Sequence, residues 1–192
     1  MKKIPTIFER DWDGDRSRVI DKPHPACKWV FAGEGVPTRK LDGTSCLIRG
    51  GKLYRRRELK AGQEAPADFE VADKDEETGK TVGWVPVGGG TEDKWHRGAF
   101  LPGLPDGTYE LVGPHIQGNP EHFQDDALVP HSLPDFAYVE TVPRTFVALR
   151  EWLSCRDIEG VVFHHPDGRM AKIKLRDFGK KRVRAPQSAG RA

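Results

Sequence analysis

Two short segments of the sequence carry the residues best suited to covalent chemistry. The first segment, TRKLDGTSCLI, contains Lys40, and the second, AKIKL, contains Lys172 and Lys174. A lysine amine is a nucleophile only when it is neutral, and nearby positive charge lowers its pKa from about 10.4 in water. Because Lys172 and Lys174 are two residues apart on a predicted strand, they project from one face of it. The pattern predicts a nucleophilic Lys40 beside a pair of cations.

Two glutamates accompany these lysines in predicted strands, Glu110 in YELVG and Glu159 at the start of IEGVVF. Each feature has a simpler explanation when it is taken alone. The KLDG segment (residues 40–43) is also typical of a surface turn, because Asp-Gly favours turns. Glu110 alone is typical of a solvated strand carboxylate, and Glu159 of a cap or a salt-bridge partner. The series of all these elements along one chain favours the chemical interpretation.

The elements that must position these residues are mostly strands. KWVFAGEG, SCLIRGG and KLYRRRELK are predicted strands, and the Gly50-Gly51 pair between the last two predicts a hairpin, because both turn positions can adopt positive φ. GTYELVG and FAYVETV are predicted as two further strands. IEGVVFHHPDGRMAKIKL predicts a second hairpin, which turns at residues 167–168.

One helix and one insertion complete the predicted architecture. PRTFVALREWLSC predicts a helix with an apolar face formed by Phe146, Leu149, Trp152 and Leu153. The polar, turn-rich residues 62–98 predict a surface insertion with one short strand at about residues 82–87. The order of elements predicts an α+β domain of antiparallel sheets flanked by helices, with too few βαβ alternations for a Rossmann sheet.

Composition limits the class of protein. The 192 residues are 36% hydrophobic and suit one ordinary domain, and no apolar run is long enough to predict a membrane span. The start of the chain has two lysines but turns acidic within about ten residues and lacks an apolar stretch, so it does not resemble a signal peptide. Three widely spaced cysteines without a CxxC pair favour reduced thiols, no zinc site and a cytoplasmic location.

Positive charge is concentrated near one end of the chain. The net charge is only +2, but residues 169–184 contain eight Lys or Arg against one Asp. Such a block is typical either of a solvated tail or of a surface that binds a polyanion. We expect a basic, flexible tail over residues 179–192.

In this order, the elements resemble those of the covalent nucleotidyltransferases, the superfamily of ATP-dependent DNA and RNA ligases and messenger-RNA capping enzymes. The resemblance covers about Trp29 to Phe178. Four segments look most similar to a compact family of RNA ligases that join 5′-phosphate to 3′-hydroxyl ends: GEGVPTRKLDGTSCLI, GWVPVGGGTEDKWHRGAF, YELVGPHIQGNPE and IEGVVFHHPDGRMAKIKLRDFG. The resemblance implies the ATP-grasp-like ligase fold, ATP with Mg²⁺ or Mn²⁺ as cofactors, and RNA ends as partners.

The resemblance also implies a role for each residue. Lys40 would form the lysine-AMP intermediate, Glu110 would hold the ribose hydroxyls and Glu159 would coordinate the metal. The expected nucleotide-binding residues are Asp42, Gly43, Arg56, Glu110, Tyr138, Lys172 and Lys174.

Two of these choices have alternatives. Arg56 is chosen among Arg55, Arg56 and Arg57, because alternation along a strand turns only one or two of them toward the cleft. The aromatic ring expected on the purine is Tyr138 or Phe136, and core packing is the competing role. Six histidines receive no role: His96, His115, His122, His131, His164 and His165.

The expected domain spans residues 1–178, with the insertion at about 62–98. Only 18 residues follow Lys174, too few for the OB-fold that many relatives append, so we expect none. The alternatives are a capping-type guanylyltransferase, a DNA ligase, or a catalytically inert nucleic-acid-binding module. The sequence does not fix the oligomeric state, and a monomer is compatible with it.

Overall fold

The computed structural model describes residues 3–76, 78–131, 136–138 and 140–182. Its elements, in chain order, are β1 (Phe8–Arg10), β2 (Val19–Pro23), α1 (Lys28–Phe31), β3 (Val36–Lys40), β4 (Thr44–Arg49), β5 (Lys52–Leu59), β6 (Glu70–Lys74), β7 (Thr81–Pro86), α2 (Lys94–Ala99), β8 (Gly107–Val112), β9 (Ala127–Pro130), α3 (Phe146–Ser154), β10 (Gly160–His164) and β11 (Met170–Lys174). The protein is thus a mixed α/β chain dominated by antiparallel sheets. Among the described residues, no helix is long and apolar enough to cross a membrane.

The chain divides into two compact units. Within the described residues, one unit contains residues 42–131 with Lys3, and the other contains residues 4–41 and those from 136 to 182. We name them, after their main sheets, the six-stranded unit and the three-stranded unit.

In the six-stranded unit, the strands follow the order β6-β7-β5-β4-β8-β9, and every neighbouring pair is antiparallel. The β4–β5 hairpin turns at Gly50 and Gly51, whose φ angles of 57° and 68° require residues without a Cβ penalty. This confirms the predicted hairpin. Its core lies on the face that carries Cys46, Ile48 and Tyr109.

In the three-stranded unit, β10 lies between β11 and β3 and pairs antiparallel with both. The β10–β11 hairpin turns at Gly168, which has a φ of 90°, and confirms the second predicted hairpin. The predicted helix is α3, and Leu149 and Leu153 from its apolar face are fully buried in the core of the unit. Phe146 and Trp152 pack against the same core while partly exposed.

Two predicted strands are wrong. KWVFAGEG forms the short helix α1, because a 3₁₀ turn at Pro25–Cys27, capped by His24, leads the chain directly into helical geometry. In FAYVETV, the described residues contribute only an isolated bridge between Ala137 and Thr38. The neighbouring Pro37 has no N–H to extend that ladder. Val139 lies outside the described residues.

The segment from 62 to 98 holds more structure than one short strand. The expected strand is β7, and β6 and α2 were not predicted. β6 is an edge strand with only two apolar residues, Val71 and Ala72, which are adjacent, so it lacks the apolar alternation by which sequence patterns detect strands.

The basic tail is only partly described. Residues 183–192 lie outside the described residues. Before them, Lys180 donates a hydrogen bond to Ser154 Oγ, and Arg182 pairs with Asp157 at 2.6 Å. The first residues of the segment predicted as a flexible tail therefore contact the three-stranded unit.

Candidate active site

Strand register brings two of the predicted lysines to the same glycine. Gly160, the first residue of β10, lies directly opposite Lys40 on β3 and directly opposite Lys174 on β11. Residues that face each other across antiparallel strands project from the same side of the sheet. Because Gly160 has no side chain, nothing from the central strand separates the two lysines at this position.

A close backbone approach fixes the identity of this glycine. A Cβ at position 160 would collide with the carbonyl oxygen of Ile173 and lie only 2.8 Å from Lys174 Cα. Any other residue would push β11 away from β10. Glu159 thus supplies a carboxylate, and Gly160 beside it allows β11 to lie close to β10.

Glu159 bridges the two lysines. Lys40 Nζ lies 2.5 Å from Glu159 Oε2, and Lys174 Nζ forms an ion pair with Glu159 Oε1. Lys40 Nζ also donates to the Leu41 carbonyl at 3.2 Å. The three charged side chains are between 12% and 18% exposed, so water screens their interactions only weakly. Lys40, Glu159, Lys172 and Lys174 together are called the lysine cluster below.

Electrostatics in the lysine cluster lower the pKa of Lys172 and Lys174 and also lower the pKa of the Glu159 carboxyl. Burial, followed by the charges of Lys174 and Lys40, lowers the pKa of Lys172 to about 8. Burial and Lys40 also lower the pKa of Lys174, against the opposing effect of Glu159. Burial alone would raise the pKa of Glu159, but Lys40 and Lys174 outweigh it and lower that pKa.

The start of the chain holds the strand that carries Lys172 and Lys174. Lys172 donates its backbone N–H to Pro5 O at 2.9 Å and accepts from Ile7 N–H at 3.0 Å. The backbone N–H of Lys174 donates to Asp177 Oδ2 at 2.8 Å.

Asp177 is itself buried and fixed from a distant part of the sequence. It is 3% exposed, and Arg10 donates to its Oδ1 at 2.9 Å. Arg10 and Asp177 are therefore positioning residues for the lysine strand. No spacing rule links residues that far apart in the sequence, so a local pattern does not predict this ion pair.

A second group of predicted residues meets in the six-stranded unit. Glu110 on β8 accepts the backbone N–H of Gly43 at 3.1 Å through Oε1, and its Oε2 lies 2.9 Å from His131 Nε2. A Cβ at Gly43 would collide with the Leu111 carbonyl, which explains why glycine follows Asp42. Gly43, Glu110 and His131 are called the Glu110 site below. The sequence did not predict a role for His131, because no other residue type lies at a characteristic spacing from it.

Alternation separates the three consecutive arginines of β5. Arg55 turns to one face of the sheet, where it pairs with the buried Asp93 at 2.7 Å. Arg56 turns to the other face, over the Trp84 ring at 5.4 Å. That face also carries Glu110. Cys46 on β4 lies opposite Arg55, so the preceding residue, Ser45, is level with Arg56, and Ser45 also lies opposite Glu110. Arg56 and Glu110 therefore project from the same face as Ser45. Burial lowers the pKa of Arg56, against the opposing charge of Asp73 and Glu110. Arg56 therefore shares a sheet face with Glu110, and its role in nucleotide binding stays a prediction.

The two remaining predicted residues are placed differently. Asp42 follows β3 in the sequence, and it donates its backbone N–H to Glu121 Oε1 at 3.2 Å. Tyr138 packs edge-to-face on Trp152, with ring centroids 5.2 Å apart, against the core of the three-stranded unit. Its backbone N–H donates to Pro37 O. A role for Tyr138 at a purine ring stays a prediction.

The carboxylate of Glu159 limits the kind of metal ion that the lysine cluster could bind. Among the described residues, no group of three His, Cys, Asp or Glu side chains could hold a metal ion. Glu159 is one carboxylate surrounded by amines. A single carboxylate fits Mg²⁺ or Mn²⁺, which complete their coordination with substrate phosphates and water, rather than a metal enclosed by protein ligands.

Comparison of the chain with models of protein families and with curated protein sequences finds no match.

Proposed function

We propose that the chain is an ATP-dependent RNA ligase of nucleotidyltransferase fold, which joins 5′-phosphate and 3′-hydroxyl RNA ends through a lysine-AMP intermediate. The observation that carries the proposal is the lysine cluster. A partly buried Lys40 amine shares one carboxylate with Lys174, and Lys172 lies on the same strand face with a pKa of about 8. A group of amines gathered around a single carboxylate is suited to a polyanionic substrate.

The first step would transfer AMP to Lys40. The amine leaves Glu159, gives its proton to water and attacks the α-phosphorus of ATP. A phosphorus–nitrogen bond forms, the bond to the bridging oxygen of the β-phosphate breaks, and pyrophosphate leaves. Lys172 and Lys174 stabilise the negative charge that develops on the phosphate oxygens and the leaving group.

Two later transfers would complete the reaction. The 5′-phosphate of one RNA end attacks the lysine-bound AMP and releases Lys40, which gives an adenylylated RNA end. The 3′-hydroxyl of the other end then attacks that phosphate, and AMP leaves as the new phosphodiester forms. Both transfers occur at phosphorus and need the same positive charge, so the lysine cluster serves all three steps.

The metal and the nucleoside have separate expected positions. Glu159 would hold Mg²⁺ or Mn²⁺, which supplies further positive charge to the triphosphate. The Glu110 site would accept the ribose hydroxyls, because a carboxylate fixed by Gly43 and His131 is a strong hydrogen-bond acceptor. Arg56, on the same face, would contact a phosphate or the base.

The expected location of this activity is the cytoplasm. Cys27, Cys46 and Cys155 are all free thiols, and two of them are buried. Free thiols are typical of proteins in reducing compartments.

The decisive test is the intact mass of the purified chain after incubation with ATP and Mg²⁺. We expect a gain of one AMP in the unmodified chain and none in Lys40→Ala or Lys40→Arg, because arginine keeps the charge but is not deprotonated in proteins. Lys28→Arg, an exposed lysine of the same unit, is the matched control and should keep the adduct. An adduct on Lys40→Arg would refute the assignment of the nucleophile.

The substrate is tested separately. Each radiolabelled NTP distinguishes adenylylation from guanylylation, and nicked duplexes with RNA or DNA at the break distinguish the two kinds of ligase. Preference for GTP or for DNA ends would replace the RNA ligase with one of those alternatives. Absence of any nucleotide adduct would indicate a catalytically inert binding module.

A further inference from the structure

Two aromatic rings in the six-stranded unit form a parallel stack at the surface. Trp95 on α2 and His115 in the loop after β8 have ring centroids 3.5 Å apart and planes inclined by only 8°. Lys94 Nζ lies 4.3 Å from the centroid of the same Trp95 ring. Trp95 packs against the core of the unit, so the outer member of the stack is His115.

His115 is held in place and yet open to solvent. Its Nδ1 lies 2.8 Å from Asp126 Oδ2, and its backbone N–H donates to Asp126 Oδ1 at 3.2 Å. The side chain is nevertheless 47% exposed. Among the described residues, its Nε2 has no hydrogen-bond partner. An imidazole that only filled space in the core would be covered, whereas this ring is held by Asp126 and is about half exposed.

The loop that carries His115 pays a conformational cost. Three of its residues other than glycine, Gln117, Asn119 and His122, have φ angles of 51°, 52° and 57°. Such backbone geometry is costly outside glycine and persists where other contacts hold it in place. Asn119 contributes two of these contacts, through its side chain to the backbone of Phe123 at 2.9 and 3.0 Å. These hydrogen bonds therefore hold the loop in one defined conformation.

The same loop contacts the predicted nucleotide-binding segment of its unit. It begins directly after β8, which carries Glu110, and its Glu121 accepts the backbone N–H of Asp42 at 3.2 Å. A ligand on His115 would thus lie on the loop that connects to both Glu110 and Asp42.

We propose that the Trp95–His115 stack is a platform for one base of single-stranded RNA, with Lys94 contacting a neighbouring phosphate. The inference deepens the proposed function and rests on it for the identity of the polymer. Aromatic and imidazole rings bind unpaired bases by stacking, which tolerates any sequence, whereas bases inside a duplex already stack on each other. Trp95, which packs against the core, keeps the imidazole in place when a base leaves.

The test measures binding of the full chain to a short, end-labelled single-stranded RNA of mixed sequence by fluorescence anisotropy. We expect His115→Ala to weaken binding about tenfold, the range found for loss of one base–aromatic stack. His115→Phe keeps a flat ring and should retain most of the affinity. Lys94→Ala should weaken binding less and reduce its salt dependence, because one phosphate contact is lost.

Two controls separate stacking from other causes. Lys52→Ala removes an exposed lysine of the same unit, and His24→Ala removes a histidine of the other unit. Both should bind as the unmodified chain does. An RNA of equal length with abasic positions keeps the protein unchanged, so it tests stacking even where His115→Ala perturbs the loop. On that RNA, the difference between the unmodified chain and His115→Ala should disappear.

The inference is overturned if the unmodified chain does not bind single-stranded RNA, if His115→Ala binds as tightly as the unmodified chain, or if the abasic RNA shows the same loss. These results are independent of the lysine-AMP adduct. A chain that forms the adduct without this stacking keeps the proposed function and loses only the platform. A chain that binds the RNA by stacking without forming an adduct loses the ligase function and keeps the platform.

Discussion

The lysine cluster and the Glu110 site have opposite electrostatic arrangements. In the lysine cluster, Lys40 and Lys174 share the single carboxylate of Glu159, and with Lys172 nearby the positive charge is in excess. In the Glu110 site, one carboxylate is held by a neutral backbone N–H and by His131. The first arrangement is suited to phosphates and the second to hydroxyl groups.

This difference separates two kinds of defect. Changes in the lysine cluster should affect the chemical step, because the charge there stabilises the phosphate as it reacts. Changes in the Glu110 site should affect nucleotide affinity with little effect on the rate at saturation, because its contacts are made equally before and during the reaction.

The largest effect is expected for Glu159→Gln. Glutamine keeps the size of the side chain but leaves the amines without their shared counter-charge, which is costly for a buried pair. We expect adduct formation to fall by about a hundredfold or more, which corresponds to about 3 kcal/mol. Single-turnover measurement of the AMP adduct gives the rate. Glu151→Gln, an exposed glutamate on α3, is the control, and an unchanged rate in Glu159→Gln would assign Glu159 a purely structural role.

Loss of the cluster by backbone displacement is the next largest effect. Gly160→Ala adds a Cβ that collides with the Ile173 carbonyl, so β11 must move away from β10. We expect a loss of about 1–3 kcal/mol in the free energy of unfolding, measured with urea, together with a slower adduct. Gly89→Ala is the matched control, since no atom lies within 4 Å of its added Cβ. Equal stability of the two variants would mean that the strands separate here without cost.

The sequence predicts a structural feature well when the residues that determine it are close together in the chain. Lys172 and Lys174 were predicted to share a face because a strand alternates every two residues, and β11 confirms that pattern. The two hairpins were predicted from the glycines at their turns, which are also a local feature of the sequence. By contrast, Arg10 and Asp177 meet across 167 residues of sequence, and His131 reaches Glu110 from a different strand end. No local pattern encodes such contacts.

The wrong strands have a related cause. KWVFAGEG has the apolar character of a strand, but tertiary packing buries Trp29 and Val30 from a single helical turn. A short apolar run is compatible with either structure, and its surroundings decide between them. The sequence therefore predicted the glycine turns and the alternating strands better than the short apolar runs.

For the Glu110 site, we expect Glu110→Gln to raise the KM for ATP about tenfold in adduct formation, with a much smaller change in kcat. The amide still accepts one hydrogen bond but loses the charge that strengthens bonds to hydroxyl groups, a difference of about 1–2 kcal/mol. His131→Ala should raise KM less, because Gly43 still holds the carboxylate. Glu58→Gln, an exposed glutamate on β5, is the control. A fall in kcat with unchanged KM would place Glu110 with the lysine cluster instead.

The smallest expected effect is a pH dependence of stability that distinguishes Lys172 from an exposed lysine. Because burial and its neighbours lower its pKa to about 8 in the folded chain, Lys172 is neutral there at pH 9.5 but still protonated in the unfolded chain. The unfolded state then binds more protons, so this residue makes stability rise with pH between about 8 and about 10.5. Raising the pH from 7.5 to 9.5 should therefore add about 1–2 kcal/mol through Lys172 alone. Lys172→Met should lose that increment in urea unfolding, whereas Lys28→Met, at an exposed position of the same unit, should keep it. Equal pH dependence in the two variants would contradict the burial of the Lys172 amine beside Lys40 and Lys174, and with it the excess positive charge on which the contrast with the Glu110 site depends.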